Sequence, residues 1–404
     1  MRTTEDGVAC GMLEGLGALL AAMVVVAAAP IVVAFLPGRV PQVVLLIAGG
    51  VVIGPEVLDL ARPDDIELFA NLGLGFLFLL AGYELDPSLL KARPGRLAMI
   101  AWAITIVLSL AIVGALEAAG LVKAFLPVAI GLTTTALGTL LPILRDHHML
   151  EGRFGRYVFA AGAVGEMGPV LCIALLLGHY SSIVEVIGVA AVAGAAFALS
   201  VIPRLTQGTR FGRIIEEGQH ETSQTTLRLT VLLLVALLFL SAEFGLDIVL
   251  GAFFAGMVLK RWAPGDVETL EKKLDAVGYG FFIPVFFVSS GMGLDVVSIV
   301  ESPGRLFVFF ALLLVVRGVP ALFVYRKDLP APRRVQMMLL TATALPLLVA
   351  LSEIGLQNGS MLPENAAALV GAGVLSVAIF PLLAVRLQPR ALEAERAGSA
   401  TDAG

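Results

Sequence analysis

The chain has 404 residues, 58% of them hydrophobic and only 15% charged, with a formal net charge of −5 at pH 7 and a mean hydropathy of +0.94. Soluble domains carry about a quarter charged residues, so this composition excludes an ordinary water-facing fold and points to a chain dissolved largely in lipid.

Crossing about 30 Å of hydrocarbon takes roughly 20 apolar residues. Thirteen stretches meet that demand in chain order: 12–36, 40–58, 66–85, 96–119, 121–144, 154–179, 181–202, 225–243, 245–260, 275–299, 304–325, 334–355 and 365–386. Unpaired peptide groups are too costly at that depth, so the spans are expected to be helices. Only Met1–Gly11, the stretch 203–224 and the tail from Gln388 fall clearly outside. The predicted class is an all-α polytopic membrane protein of about thirteen transmembrane helices. Its membrane domain covers 1–386 and a short cytoplasmic tail covers 387–404. The start of the chain is too polar before Gly11, and too long in its apolar run after it, for a cleaved signal peptide.

Lysine and arginine set the orientation. Loops after odd-numbered spans hold 21 of them, Arg39, Lys91, Arg93, Arg96, Arg145, Arg153 and Arg156 among them, whereas the other side has only Arg2, Arg62, Lys123 and Arg305. Arg228 and Arg317 fall within spans. Positive charge stays inside, which predicts an external N-terminus and a cytoplasmic C-terminus.

The apolar stretches also recur. Thr133-Thr-Thr-Ala-Leu-Gly-Thr-Leu140 returns as Thr341-Ala-Thr-Ala-Leu-Pro-Leu-Leu348 at an offset of 208. Gly82-Tyr-Glu-Leu-Asp86 returns as Gly291-Met-Gly-Leu-Asp295 at 209, and Ala48-Gly49 returns as Ala255-Gly256 at 207. Three matches in one order at nearly one spacing indicate an internal duplication. It relates spans 2, 3 and 5 to spans 9, 10 and 12, an odd step of seven, so the copies run in opposite directions. Repeat one is then 12–179, the linking helix 181–202 and repeat two 225–386. Inverted repeats are the sequence sign of a secondary transporter whose halves exchange conformations; two copies kept for packing are the plainer alternative.

Glu166 in span 6 and Arg317 in span 11 are the full charges predicted near mid-depth. Each costs about 2.5–3.5 kcal/mol there on insertion scales, so each should face the protein interior. A buried Glu166–Arg317 pair that merely orders the bundle is the bland reading, yet buried pairs often fail to stabilise. Pro127, Gly131, Gly138 and Pro142 interrupt span 5, and Pro346 interrupts span 12. Matching interruptions in corresponding helices predict broken helices that cross at the substrate site. Freed carbonyls and the hydroxyls of Thr133, Thr134, Thr135, Thr341 and Thr343 are then candidate ligands for a small hard cation. A hydroxyl bonding back to its own helix is the alternative for each.

These segments resemble the monovalent cation:proton antiporter superfamily, in particular the bacterial Kef/Nap-like branch with its sodium/hydrogen exchanger domain. GRVPQVVLLIAGGVVIGPEVL (38–58), LGFLFLLAGYELD (74–86), GLDIVLGAFFAGMVL (245–259) and FFIPVFFVSSGMGLD (281–295) are similar to four family stretches in the same order. The resemblance implies thirteen helices, a core domain with crossed broken helices, a dimerisation domain and hence a homodimer, and a bacterial inner-membrane location. It puts Glu166 at the family's ion-binding carboxylate and Arg317 at its core basic residue. Here the pair reads Gly165-Glu166, where the family usually has Asp preceded by Asp, Asn or Gln.

The expected function is antiport of a monovalent cation, K+ or Na+, against protons, with Glu166 binding one or the other and Arg317 as its charge partner. The lipid bilayer is the other expected partner. A transport-inactive sensor or regulatory subunit, and an ion channel, are the competing classes. Enzyme chemistry, cofactors and nucleic acid are not indicated. Cys10 and Cys172 lack metal spacing, and His147-His148 adjoin a span end as expected of solvated loop residues.

Overall fold

The computed structural model describes residues 2–35, 41–84, 91–120, 122, 124–176, 188, 190–199, 224–244, 246, 248–262, 267–301, 303–357 and 359–388. Most of the expected linking span 181–202, nearly all of the stretch 203–224 and most of the tail lie outside these residues. The regular structure among the described residues is helical, with no strand. In chain order the helices are α1 (Arg2–Phe35), α2 (Gln42–Ile53), α3 (Glu67–Glu84), α4 (Arg93–Ala118), α5 (Phe125–Gly131), α6 (Leu137–Asp146), α7 (Gly152–Leu176) and α8 (Ala190–Leu199). They continue with α9 (Thr225–Glu243), α10 (Ile248–Trp262), α11 (Val267–Val277), α12 (Ile283–Met292), α13 (Val296–Glu301), α14 (Pro303–Leu312), α15 (Val319–Val324), α16 (Ala331–Thr341), α17 (Pro346–Gln357) and α18 (Pro363–Arg386).

Among the described residues, eight helical stretches are long and apolar enough to cross a membrane: Met12–Phe35, Pro63–Tyr83, Arg93–Ala118, Thr225–Glu243, Thr269–Met292, Pro303–Lys327, Ala331–Leu356 and Pro363–Arg386. The other expected spans take different forms. Two are short helices, α2 of 12 residues and α10 of 15, and span 5 is split into α5 and α6. Helix α1 starts at Arg2 rather than near residue 12. Hydropathy marks where a chain meets lipid, not where its helix begins.

Two stretches wind one residue wider, as π-helical turns, at Gly278–Phe282 and Leu313–Gly318. Each ends two residues before a proline, Pro284 and Pro320. A proline ring clashes with the carbonyl four residues back, and widening the turn relieves that clash.

The chain forms two compact units, each drawing on both halves of the sequence: Met1–Ala28, Leu46–Leu85 and Val170–Gly293 in one, and Ala29–Leu45, Asp86–Pro169 and Leu294–Gly404 in the other. In the first, helices cross backbone against backbone. A Cβ added to Gly82 on α3 would land on the Phe253 carbonyl of α10, and one on Gly256 would land on the Leu79 carbonyl and, at 2.6 Å, on Tyr83 N. Likewise α2 meets α12: a Cβ on Gly291 would strike the Ile47 carbonyl and sit 3.0 Å from Gly50 Cα. Lipid offers no hydrophobic drive for helices to associate, so close approach through small residues supplies the packing. The crossings involve the repeated segments: Gly82 and Gly291 are the offset-209 pair, and Gly50 and Gly256 belong to the segments offset by 207.

The second unit packs around two apolar clusters, one including Tyr157, Tyr325, Met337 and Phe380, the other Val128, Leu132, Leu313, Leu348 and Leu369. Asp328, in the turn before α16, ties three elements together. Its carboxylate accepts from Arg93 Nε at 2.7 Å and Nη2 at 3.0 Å, Arg153 Nη2 at 3.1 Å and Tyr157 Oη at 2.8 Å. Its side chain is 3% exposed while both arginines are 60% exposed, so water screens the outer half of the cluster. The Arg93 hydrogen bonds, with those of Tyr157 and Arg153, hold the Asp328 carboxyl below the usual range against the opposing effect of burial.

A carboxylate with a depressed native pKa adds stability that is complete above its unfolded pKa, about 3.9. That stability is lost as pH falls through the lower native value. Asp328→Asn is therefore expected to melt below wild type at pH 7, with the gap closing as pH is lowered past about 4. Thermal unfolding of both proteins in detergent across that range checks it.

Candidate functional site

The site is built where two helices stop and restart inside the second unit. Helix α5 ends at Gly131 and α6 begins at Leu137; α16 ends at Thr341 and α17 begins at Pro346. The breaks fall on the segments that repeat at offset 208. Pro346 opens α17, a first-turn position where its missing N–H costs nothing. Such breaks at membrane depth are tolerated only where protein satisfies the freed backbone groups.

Their hydrogen bonds account for how they are held. At the first break, Thr133 N and Thr134 N turn to carbonyls three residues back, Ile130 O at 2.9 Å and Gly131 O at 3.1 Å. Thr135 N then leaves the helix for Gly165 O on α7 at 3.0 Å, and Ala136 N reaches Thr343 O in the other break at 2.8 Å. Thr135 Oγ1 donates to Thr341 O at 2.7 Å and accepts from Arg317 Nε at 2.9 Å. Arg317 Nη2 donates to Ala161 O on α7 at 2.9 Å. One guanidinium, lying in the π-helical turn and 2% exposed, thus joins the first break to α7.

Glu166 follows Gly165 on α7 and is 7% exposed. A Cβ on Gly165 would collide with Arg317 Nη2 and sit 2.6 Å from Thr135 Oγ1, so those side chains would have to shift. The Arg317 guanidinium and the Thr135 hydroxyl thus occupy the space that a side chain at position 165 would enter. Gly168 is likewise covered by the Trp102 indole, whose buried Nε1 has no protein hydrogen-bond partner.

The five threonines divide. Thr135 bridges the elements, whereas the hydroxyls of Thr133, Thr134, Thr341 and Thr343 donate to carbonyls of their own helices: Ile130, Gly131, Met337 and Leu339. All five are buried. A hydroxyl that donates its hydrogen keeps lone pairs for a cation, so back-bonding does not disqualify it. At the crossing the C-terminal ends of α5 and α16 bring partial negative charge, and the N-terminal ends of α6 and α17 bring partial positive charge.

Two serines were not singled out from sequence. Ser109 Oγ on α4 donates to Ala129 O at 2.7 Å, the carbonyl left without Thr133 N when that amide turned to Ile130. Ser376 on α18 accepts from Ala344 N at 3.0 Å and lies 2.9 Å from Ala344 O. The offset of 208 offered a signal for Ser109 only, since it pairs Ser376 with Gly168. It carries Ser109 onto Arg317, Gly165 onto Gly373, and Glu166 onto Val374. Gly373, like Gly165, lies against a break, with its added Cβ 2.9 Å from Ala344 O.

The family described as sodium/hydrogen exchanger, transmembrane, matches residues 20–385. A putative Na(+)/H(+) antiporter, YjbQ of Bacillus subtilis strain 168, is 25% identical over 408 aligned residues, covering 96% of this chain and 65% of that protein. Cation/H(+) antiporter 18 of Arabidopsis thaliana is 30% identical over 292 residues, 65% of this chain and 35% of the relative. The chain thus spans about two thirds of the first relative's length and about a third of the second's. The sodium proton antiporter MjNhaP1 of Methanocaldococcus jannaschii shares the fold, with a TM-score of 0.67 at 18% identity over 94% of this chain and 96% of that one. The chain belongs to the sodium/hydrogen exchanger transmembrane family, a family of secondary transporters rather than enzymes.

Proposed function

We propose that this protein exchanges a monovalent cation for protons by alternating access, with Glu166 binding one or the other. The observation that carries the reading is the crossing of the two breaks against α7, one residue from Glu166, with Arg317 bound to Thr135 and to the α7 backbone. A carboxylate in such surroundings is pulled two ways. Desolvation favours its neutral form, and a fixed guanidinium and half-helix ends favour its charged form. Release of a proton then leaves a negative site beside carbonyl and hydroxyl oxygens, the donor set a hard cation takes.

In this reading Arg317 acts as the charge partner of Glu166, and the oxygens of Thr133, Thr134, Thr135, Thr341 and Thr343 complete the cation's shell. The bound species is Na+ or K+; relatives carry names with either ion. A single carboxylate favours electroneutral exchange. Carried through the offset of 208, Glu166 meets Val374 and Arg317 meets Ser109, which supports one charged site rather than two. The same reading takes the chain as thirteen spans in inverted repeats, 12–179 and 225–386, joined by a linking helix at 181–202, with a short cytoplasmic tail at 387–404. It also takes it as a homodimer in the inner membrane, N-terminus outside. The exchanged glycine crossings, Gly82 with Gly256 and Gly50 with Gly291, support the repeat.

The test is proton flux in everted vesicles held acidic inside, with sodium, potassium or lithium added. Wild type is expected to lose its gradient to one of them, and Glu166→Gln to lose at least about 95% of that response. A normal response from Glu166→Gln would sink the assignment. Gly165→Asn is expected to abolish the response too, because its side chain displaces the guanidinium from Thr135. A Gly165→Asn protein that folds and transports normally would remove Arg317 from its proposed role.

A further inference from the structure

The two breaks are not held alike. At the first, Ala136 N crosses to Thr343 O at 2.8 Å. The position that corresponds to Ala136 at offset 208 is Ala344, and a symmetric crossing would send Ala344 N back to Thr135 O. It does not. Thr135 O instead accepts from Leu137 N of its own strand of chain at 3.2 Å, and Ala344 N goes to Ser376 Oγ at 3.0 Å. Ser376 is fully buried, and its hydroxyl also lies 2.9 Å from Ala344 O and 2.7 Å from Gly373 O. The hydroxyl accepts from Ala344 N and has a single hydrogen to donate, to Gly373 O or to Ala344 O. Gly373 makes room for this: an added Cβ would sit 2.9 Å from the same Ala344 carbonyl.

We infer that Ser376 is a positioning residue for the transport site, standing in for the missing second crossing bond and so keeping the α16–α17 break unwound. This rests on the exchange reading for its effect on transport. Without the hydroxyl, Ala344 N is a buried donor with no partner, and two carbonyls lie on the paths by which it would find one. Turning to Leu340 O continues α16 by one residue and withdraws Thr343 O from Ala136 N. Turning to Thr135 O closes the crossing and takes up an oxygen flanking the Arg317-bound hydroxyl. Either way the oxygens facing a cation shift, while Glu166 and Arg317 keep their chemistry. The expected signature is weakened cation affinity with turnover largely preserved. A hydroxyl that only packed α18 would instead lower the amount of folded protein.

Ser376→Ala, Ser376→Cys and Ser376→Thr are compared with wild type as full chains in lipid nanodiscs and proteoliposomes. Amide hydrogen exchange of peptides covering 342–345 reads the break, and cation-driven proton flux reads KM against maximal rate. Ser376→Ala is expected to speed exchange of that segment and to raise KM for the cation about ten-fold, with maximal rate within about two-fold, since an unmet buried donor carries enough free energy for such a factor. Ser376→Thr keeps both values near wild type, and Ser376→Cys, with its weak acceptor sulfur, falls between, so the series is readable even if the alanine protein is not recovered folded. Unchanged hydrogen exchange in the alanine or cysteine protein overturns the inference, as does faster hydrogen exchange with an unchanged KM. If wild type moves no cation, the exchange function has failed, and hydrogen exchange alone then decides whether Ser376 holds the break.

Discussion

Every peptide group placed at membrane depth needs a partner, and a helix that stops in mid-membrane leaves several without one. The second unit is arranged around meeting that demand twice. The first break is satisfied by the α7 carbonyl of Gly165, by Thr343 O and by the Ser109 hydroxyl; the second relies on Ser376 and on the hydroxyls of its own threonines. Because these partners come from α4, α7, α18 and the facing break, the two breaks tie those elements together. The glycines sit in the same frame: a Cβ on Gly373 would press on the Ala344 carbonyl, and one on Gly165 on the Arg317 and Thr135 side chains.

Charge enters this frame sparingly. Arg317 spans from Thr135 to Ala161, placing a cation within reach of the α7 turn that carries Glu166. A π-helical turn, set by Pro320 downstream, gives Arg317 its place on the helix. Away from the crossing, Asp328 gathers Arg93, Arg153 and Tyr157 and so pins the ends of α4 and α7 to the turn before α16. The unit is thus tied at one end by the Asp328 cluster and at the crossing by backbone partners.

Much of this was legible in the residues. Hydropathy gave the membrane class, and the repeated Thr-rich segments gave the two breaks, which fall within them. Pro346 pointed to the second break directly. Pro127, by contrast, lies within α5, five residues before the first break, because a proline in the first turn is compatible with a helix. Span lengths were less legible: α2, of 12 residues, and α10, of 15, are shorter than ordinary spans. The π-helical turns, the direction of each threonine hydroxyl and the roles of Ser109 and Ser376 depend on contacts between residues far apart in sequence, which periodicity does not record. Gly165 looked like a lost ligand; Arg317 and Thr135, distant in sequence, lie where its Cβ would be.

The central claim is that one site holds either a proton or a cation. Its most direct test is the KM for the transported cation, measured in proteoliposomes of the wild-type protein across pH. Competition predicts that KM rises by about ten-fold per unit as pH falls below the carboxylate's pKa, while the maximal rate at saturating cation holds steady. A KM that stays flat across the same range would mean that proton and cation bind independently, and would contradict the account.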